Sequence, residues 1–257
     1  MAFQTLAPDA AGEPLYRGVK RALLAAIERH ECPPGDPLPS EGELARAFGV
    51  SIGTVRRAVD ELVSEHLVVR RQGRGTYVAM HSADRFLFQF FHVERSDGLR
   101  ELPRVELVAF ERGRADDDVA QVLRLKPGEP VFRIENRLLL QGRPVVHDRI
   151  ALPVKLFKDL TERRFRERPS TIYHLYQTAY GITITRAQER ARSVGADRAA
   201  ARTLGVAVGA PVLEVRRTAM TFGDRPVESR VSVMNTAQHE YVHLLSRPSP
   251  DGPGSRG

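Results

Sequence analysis

The sequence predicts an α+β protein in two parts. The first is an N-terminal winged helix-turn-helix. The second is a C-terminal mixed α/β domain whose antiparallel sheet carries an internal pseudo-twofold repeat. Three observations support this. Residues 40–64 hold two amphipathic helical runs separated by a short turn containing glycine. Two strand-like runs joined by a basic, glycine-rich loop follow at once. Further on, DDDVAQVLRLKPGEPVFRIENRLLLQGRPVVHDRIAL, starting at Asp116, lines up with DRAAARTLGVAVGAPVLEVRRTAMTFGDRPVESRVSV, starting at Asp197.

The elements follow in order. Residues 1–13 read as a loose tail. From Pro14, PLYRGVKRALLAAIERH places Leu15, Val19, Leu23, Ala26 and Ile27 at helical spacing. CPPGDPLP breaks the chain. Ser40 followed by Glu43 is a capping box that opens SEGELARAFGV, with Leu44, Ala45 and Phe48 on its apolar side and Gly49 at its end. Ser51 opens the next helix, whose apolar face is Val55, Ala58, Val59, Leu62 and Val63. LVVRR and TYVAM read as strands and QGRG as the hairpin between them. The first domain is therefore expected over 14–79, a linker over 80–91, the second domain over 92–246, and a tail of disordered composition over 247–257. Each copy of the repeat reads as helix, tight turn at G-x-P-V, strand, glycine turn, strand. A period near 80 residues is too long for a solenoid and implies two similar halves sharing one sheet.

Composition narrows the function. In the 257 residues there is one cysteine, Cys32, so no disulfide forms within the chain, which fits a reducing cytoplasm. No apolar run approaches the roughly 18 to 20 residues that span a bilayer, and the N-terminus lacks the basic and apolar regions of a signal peptide. The net charge of +7 invites a polyanionic partner. Residues 1–80 carry ten basic and ten acidic side chains, so local pattern rather than bulk charge must locate the contact surface.

The run LPSEGELARAFGVSIGTVRRAVDELVSEHLVVRRQGRGTYV resembles the DNA-binding domain of the GntR family of bacterial transcription regulators. LKPGEPVFRIENRLLLQGRPVVHDRIALP, STIYHLYQTAYGITI and GAPVLEVRRTAMTFGDRPVESRVSV resemble the UTRA domain of its HutC subfamily, a chorismate-lyase-like fold that binds a small effector. Together the resemblances span about residues 14–245. The strand-rich repeat argues against the family's all-helical branch.

In this fold the second helix of the motif enters the major groove by its N-terminal end, presenting Ser51, Gly53, Thr54 and Arg56. Arg56 can offer paired donors to guanine, and Arg57 suits a phosphate. Ser40 and Glu41 start the supporting helix, whose first amides can hold a phosphate. Gln72, Gly73, Arg74 and Gly75 form the wing tip, which resembles the family's minor-groove reader. Gly42 and Ile52 stand where relatives usually have arginine, so the operator should depart from the family's usual one. Ile52 can meet a thymine methyl instead.

The resemblance also maps an effector pocket. Relatives that bind sugar phosphates carry two arginines on the first strand of the repeat. Here those positions are Asn136 and Leu138, with Arg137 between them turned to the opposite face by strand alternation. Asp148 and Glu228 match positions usually acidic, Ser170 and Thr171 a hydroxyl position at a helix start, and Met234 replaces a tyrosine. His147 is an unusual residue placed either toward the ligand or as an ordinary strand residue. The pocket so described favours a neutral, aromatic or weakly acidic metabolite over a phosphosugar.

HEYVH, residues 239–243, fits H-E-x-x-H, which on a helix would set His239 and His243 on one face for Zn²⁺ with Glu240 as base. A third ligand is lacking downstream: LLSRPSPDGPGSRG has no His, Glu or Cys and a single Asp. The segment is expected to close the second domain as a short turn or helix, with no metal. No acid/base set is organised for a lyase either, so neither catalysis nor a cofactor is expected. The sequence thus predicts a cytoplasmic transcription regulator, most simply a repressor. It would bind a palindromic double-stranded DNA operator as a homodimer joined through the C-terminal domains. A DNA-binding protein with a non-functional pocket is the alternative.

Overall fold

The computed structural model describes residues 13–243, apart from the side chain of Phe88; the expected tails at 1–13 and 247–257 fall almost wholly outside them. The first module is α1 (Leu15–Glu28), α2 (Glu41–Phe48), α3 (Ile52–Ser64) and the hairpin β1 (Val68–Arg71)–β2 (Gly75–Val78). Its core gathers the apolar faces of all three helices around Leu23, Leu44, Phe48, Val55 and Leu62, with Cys32 buried among them. Leu15 departs from the expected pattern. It sits at the first turn and is 47% exposed, and Tyr16 packs inward in its place. Gly49 ends α2 with φ 68°, a left-handed conformation that favours glycine.

Within the segment 80–91, expected as a linker, residues 83–89 form a short helix. Ser82 caps α4 (Ala83–Gln89) by accepting from the Arg85 amide at 3.2 Å. Phe86 and Phe90 bury themselves in the core of the second domain. Burial of these rings, which a local reading does not foresee, is what holds this short helix. Two short strands, β3 (Val93–Arg95) and β10 (His239–Tyr241), then pair antiparallel, Val93 with Tyr241 and Arg95 with His239.

The main sheet has six antiparallel strands in the order β4-β5-β6-β9-β8-β7. They are β4 (Arg104–Arg114), β5 (Pro130–Leu140), β6 (Arg143–Pro153), β7 (Arg186–Gly195), β8 (Pro211–Thr221) and β9 (Arg225–Met234). The repeat explains the order. One half runs β4, α5 (Asp117–Leu123), β5, β6. The other runs β7, α8 (Arg198–Leu204), β8, β9. The halves meet at β6 and β9, where Asp148 lies opposite Ser232. Each small helix crosses the seam, α5 packing on β9 and α8 on β6. Each helix also packs within its own half, Ala120 of α5 with Val131 of β5 and Leu204 of α8 with Val212 of β8, so it is buried between the two halves. The other face of the sheet carries the main core, against α4, α6 (Glu162–Arg166) and α7 (Ile172–Tyr180).

HEYVH is therefore not a helix or a turn: His239–Tyr241 form a short strand paired with β3, and residues 242 and 243 follow it outside any regular element. In extended chain, residues four apart stand ~13 Å from one another. His239 is buried and His243 meets the His92 ring edge-on, with 5.0 Å between ring centres. The H-E-x-x-H geometry needs a helical turn that this segment does not make.

Candidate functional site

Two surfaces gather the residues singled out in the sequence. On the first module, Ser51 caps α3: its Oγ accepts the Thr54 amide at 3.1 Å and lies 2.9 Å from the Thr54 hydroxyl. Gly53 is exposed, Ile52 is 50% exposed, and Arg56 and Arg57 project from the same helix. Arg56 is held across the motif by Glu41, with its guanidinium 2.9 Å from Oε2. Glu41 also receives Arg70 of β1 at 3.2 Å, and Arg70 bridges on to Asp60 at 2.6 Å. Glu41 thus ties the supporting helix, the second helix and the wing together. Arg57 leans the other way, its guanidinium 4.2 Å from the centre of the Tyr16 ring. Ser40 and Glu43 form the expected reciprocal cap, the Ser40 amide donating to the Glu43 carboxylate at 2.8 Å.

At the wing, Gln72, Gly73, Arg74 and Gly75 are exposed. Gly73 and Gly75 have φ +70° and +101°, with open space where a Cβ would stand. Backbone conformation, not crowding, is what requires glycine there. A Cβ at Gly42 would also meet nothing, so the missing arginine leaves open surface.

The second surface is a pocket of about 280 Å³ on the α7 side of the sheet. Asn136 and Leu138 come from β5, Asp148 from β6, and Ser170 and Thr171 from the start of α7, where the Thr171 hydroxyl accepts the His174 amide at 3.2 Å. Leu102, Pro103 and Val105 close one side, and Ala83 and Phe86 of α4 another. The pocket has two further charged members that the sequence reading passed over, Arg168 and Arg230. Arg230 stood two residues after Glu228 on one strand, which places both on the same face. That spacing was a usable signal. Arg168 had none.

Three expected residues lie outside the lining. Glu228 is fully buried beneath the pocket. Its carboxylate accepts from Tyr173 at 3.1 Å, from Tyr176 at 2.6 Å, and from Arg230 at 2.9 and 3.1 Å. Arg230 also donates to Asp148 at 3.1 Å, and Ser232 to Asp148 at 2.6 Å. Glu228 therefore acts on the pocket through Arg230. His147 points to the opposite face, beside Arg137 in register, with Nε2 3.4 Å from Glu135. Strand alternation that turns Arg137 away from the pocket turns His147 away too. Met234 shares the pocket's face but is packed in the core, opposite Leu213 and Val146.

The electrostatics are uneven. Burial alone would raise the Glu228 carboxyl, but the charge and hydrogen bonds of Arg230 outweigh it and hold it below the usual carboxylate range. Arg230 is pushed the other way: burial disfavours its charge, and Glu228 and Asp148 more than restore it. Arg168 differs. It donates from NH1 to the Phe165 carbonyl at 2.5 Å, its buried Nε has no partner among the described residues, and burial lowers its pKa. The buried Oδ1 of Asn136 is likewise without a partner among the described residues. The pocket thus offers one unmatched cation and one unmatched amide between apolar walls.

Behind it, α7 grips the chain that leads to the first module. Gln177 accepts from the His81 amide at 2.9 Å and donates to the Ala79 carbonyl at 3.2 Å and to Thr183 at 3.1 Å. His81 is buried, its Nε2 accepting from the Ile184 amide at 3.0 Å.

Comparison with known proteins matches two stretches of the chain. Residues 15–78 match the bacterial regulatory proteins of the gntR family, and residues 99–240 match the UTRA domain. The transcriptional repressor NagR of Bacillus subtilis (strain 168) is 30% identical over 237 residues, 91% of this chain and 96% of its own. The mannosyl-D-glycerate transport/metabolism system repressor MngR of Escherichia coli K12 is 27% identical over 238 residues, 92% of this chain and 98% of its own. Among solved structures, the ligand-binding domain of a candidate GntR-family regulator from Bordetella bronchiseptica superposes with a TM-score of 0.58 at 30% identity, over 62% of this chain and 99% of that one. PhnF of Mycobacterium smegmatis gives 0.52 at 25% identity, over 90% and 100%. Among the described residues no helix is long and apolar enough to cross a membrane.

Proposed function

Because the chain belongs to the GntR family of bacterial transcription regulators, in the branch with a UTRA domain, we propose that it is an effector-controlled repressor. DNA binding and non-enzymatic regulation are the family's business. The proposal concerns how this chain does it. It binds a palindromic operator in the cytoplasm as a homodimer, the two α3 helices reading half-sites one helical turn or a multiple apart. Ser51, Gly53, Thr54 and Arg56 meet base edges. Ser40, Glu41 and Arg57 lie along the backbone, and Gln72 to Gly75 enter the minor groove.

The effector occupies the pocket at the start of α7, touching Asn136, Leu138, Asp148, Ser170 and Thr171. Its chemistry is neutral, aromatic or weakly acidic. Arg230 is already matched by Glu228 and Asp148, which leaves Arg168 to meet at most one negative charge, too little for a phosphate dianion. The observation that carries the reading is the position of α4 and α7. Phe86 walls the pocket, and Gln177 holds residues 79–81, where the DNA-binding module ends. A ligand that shifts α4 or α7 shifts that junction, so two spacings of the winged helices differ in their affinity for one operator.

The test is a fluorescence anisotropy titration of the full chain on DNA from its own upstream intergenic region, at two salt concentrations, followed by small carboxylates and their amides in the same assay. Tight binding that survives competitor DNA and shifts with a ligand supports the reading. Weak binding that collapses with salt and has no sequence preference counts against it.

A further inference from the structure

The two copies of the repeat close their hairpins differently. In the first, Leu140 pairs with Arg143, so Gln141 and Gly142 alone make the turn. Both have positive φ, 47° and 75°, as a tight two-residue hairpin turn requires, and both are exposed. In the second, Thr221 pairs with Arg225, so the turn has three residues, Phe222, Gly223 and Asp224. The extra residue of the second copy therefore falls at the hairpin tip. There, too, the position of the exposed Gln141 is taken by the aromatic ring of Phe222.

That ring is partly buried, packed against the apolar core of the first module. Among the described residues, every other side chain of that core lies between Tyr16 and Val78. Arg186 of β7 braces the turn by donating to Asp224 at 3.2 Å. A second contact joins the same two bodies at the far end of α7. Gly181 caps this helix with φ 64°, and the imidazole of His30, just beyond α1, lies so close that a Cβ on residue 181 would stand 2.5 Å from its Nε2. The surface assigned to DNA stays open in this arrangement: Ser51, Gly53, Arg56 and the wing tip are all exposed.

We propose that the β8–β9 turn is a peg on which the DNA-binding module of the same chain docks, and that this contact fixes the direction in which each module of a dimer points. Hairpin tips are ordinarily polar, and a phenyl ring there is stabilised only by an apolar surface that receives it. The first module supplies that surface. Held at Phe222 and at Gly181, and tied to α7 through residues 79–81, the module has little freedom to swing. The docked arrangement is one of the two spacings on which regulation depends. Its consequence for operator choice rests on the role given above to α3; the dock itself does not. Because α7 starts at the effector pocket and ends at His30, ligand and dock act on one helix.

The test uses the full chain. The protein has no tryptophan, so Phe222→Trp and Gln141→Trp each introduce a single indole at matched turns. Emission from the first should lie to the blue of the second and resist acrylamide quenching. Phe222→Gln gives the turn the residue of its counterpart, and NMR relaxation of backbone amides reads its effect on tumbling. In wild type, residues 15–78 should tumble with the main sheet. In Phe222→Gln they should tumble faster, with the amide shifts of the sheet unchanged away from the turn. On DNA, Phe222→Gln should weaken binding to the footprinted palindrome about 10-fold through lost preorganisation, while binding to a single half-site stays within about twofold. An insert of about five base pairs between the half-sites, half a helical turn, should penalise wild type more than the variant. Equally exposed indoles in the two turns, independent tumbling already in wild type, or unchanged tumbling in Phe222→Gln would overturn the dock. Unchanged palindrome affinity, or an equal loss on the half-site, would overturn its part in spacing. Wild-type operator affinity in Arg56→Ala would instead contradict the role of α3 and leave the spectroscopic results standing.

Discussion

Replacing Glu228 by alanine is expected to destabilise the C-terminal domain by about 4 kcal/mol. The carboxylate is fully buried and accepts four hydrogen bonds, from Tyr173, Tyr176 and twice from Arg230. Its removal strands two buried hydroxyls, at roughly 1 to 3 kcal/mol each. Arg230 keeps only Asp148 as a carboxylate partner. These losses overlap, so the sum falls near the range for breaking one buried pair rather than above it. For a domain of this size ~4 kcal/mol lowers the melting temperature by about 8 to 16 °C. Glu228→Gln keeps the volume and one acceptor and should lose about half as much. The sign with pH follows from the depressed pKa. Stabilisation by Glu228 is complete above the unfolded carboxyl value and is lost as pH falls through the lower folded value. The gap between wild type and Glu228→Gln should therefore close only in strong acid. Calorimetry and urea unfolding at pH 7 and at pH 3 measure both. A loss under about 1 kcal/mol for alanine would refute the reasoning, since it would mean that water already reaches the carboxylate and the floor of the pocket is not sealed.

Three other outcomes are expected. Arg56→Ala should weaken specific DNA binding by roughly 1 to 3 kcal/mol in anisotropy titrations with little change in melting temperature, because the side chain is exposed; unchanged operator affinity would contradict the orientation given to α3. Gln177→Leu should leave effector binding by calorimetry near wild type while abolishing the effector's influence on DNA affinity, since the amide is the bond between α7 and residues 79–81; a full response in that variant would show that the signal runs elsewhere. Burial lowers His81 to about 3 and His92 to about 4, so the unfolded chain takes up protons first as pH falls. Stability should decline from pH 6.5 downward, and His81→Gln should flatten that decline; a pH-independent melting temperature between 6.5 and 4.5 would refute it.

The relation between sequence and structure differs by element. The winged helix-turn-helix was legible because its determinants are local. Ser40 and Glu43 cap one helix, Ser51 caps the next, Gly49 supplies a left-handed turn, and the apolar spacing names the buried side. The repeat at 116–152 and 197–233 also gave the pseudo-twofold sheet, since two equal halves have few ways to share one core. It did not supply the outer strands β4 and β7, which lie before each repeated stretch.

What the sequence by itself determined, then, was the helices of the first module, the wing and the symmetry of the sheet, fixed by period, caps and the matched repeat, while the five residues that line the α7 pocket came from the family resemblance. Only the tertiary structure decided the rest. It turned His147 away and set Glu228 under Arg230, because faces and depth depend on which strands pair. It made 83–89 a helix by burying Phe86 and Phe90, and HEYVH a strand by pairing it with residues 93–95. It brought Arg168 and Gln177 to their places, because a polar side chain's partners, or the lack of them, arise from contacts between segments that no local pattern encodes.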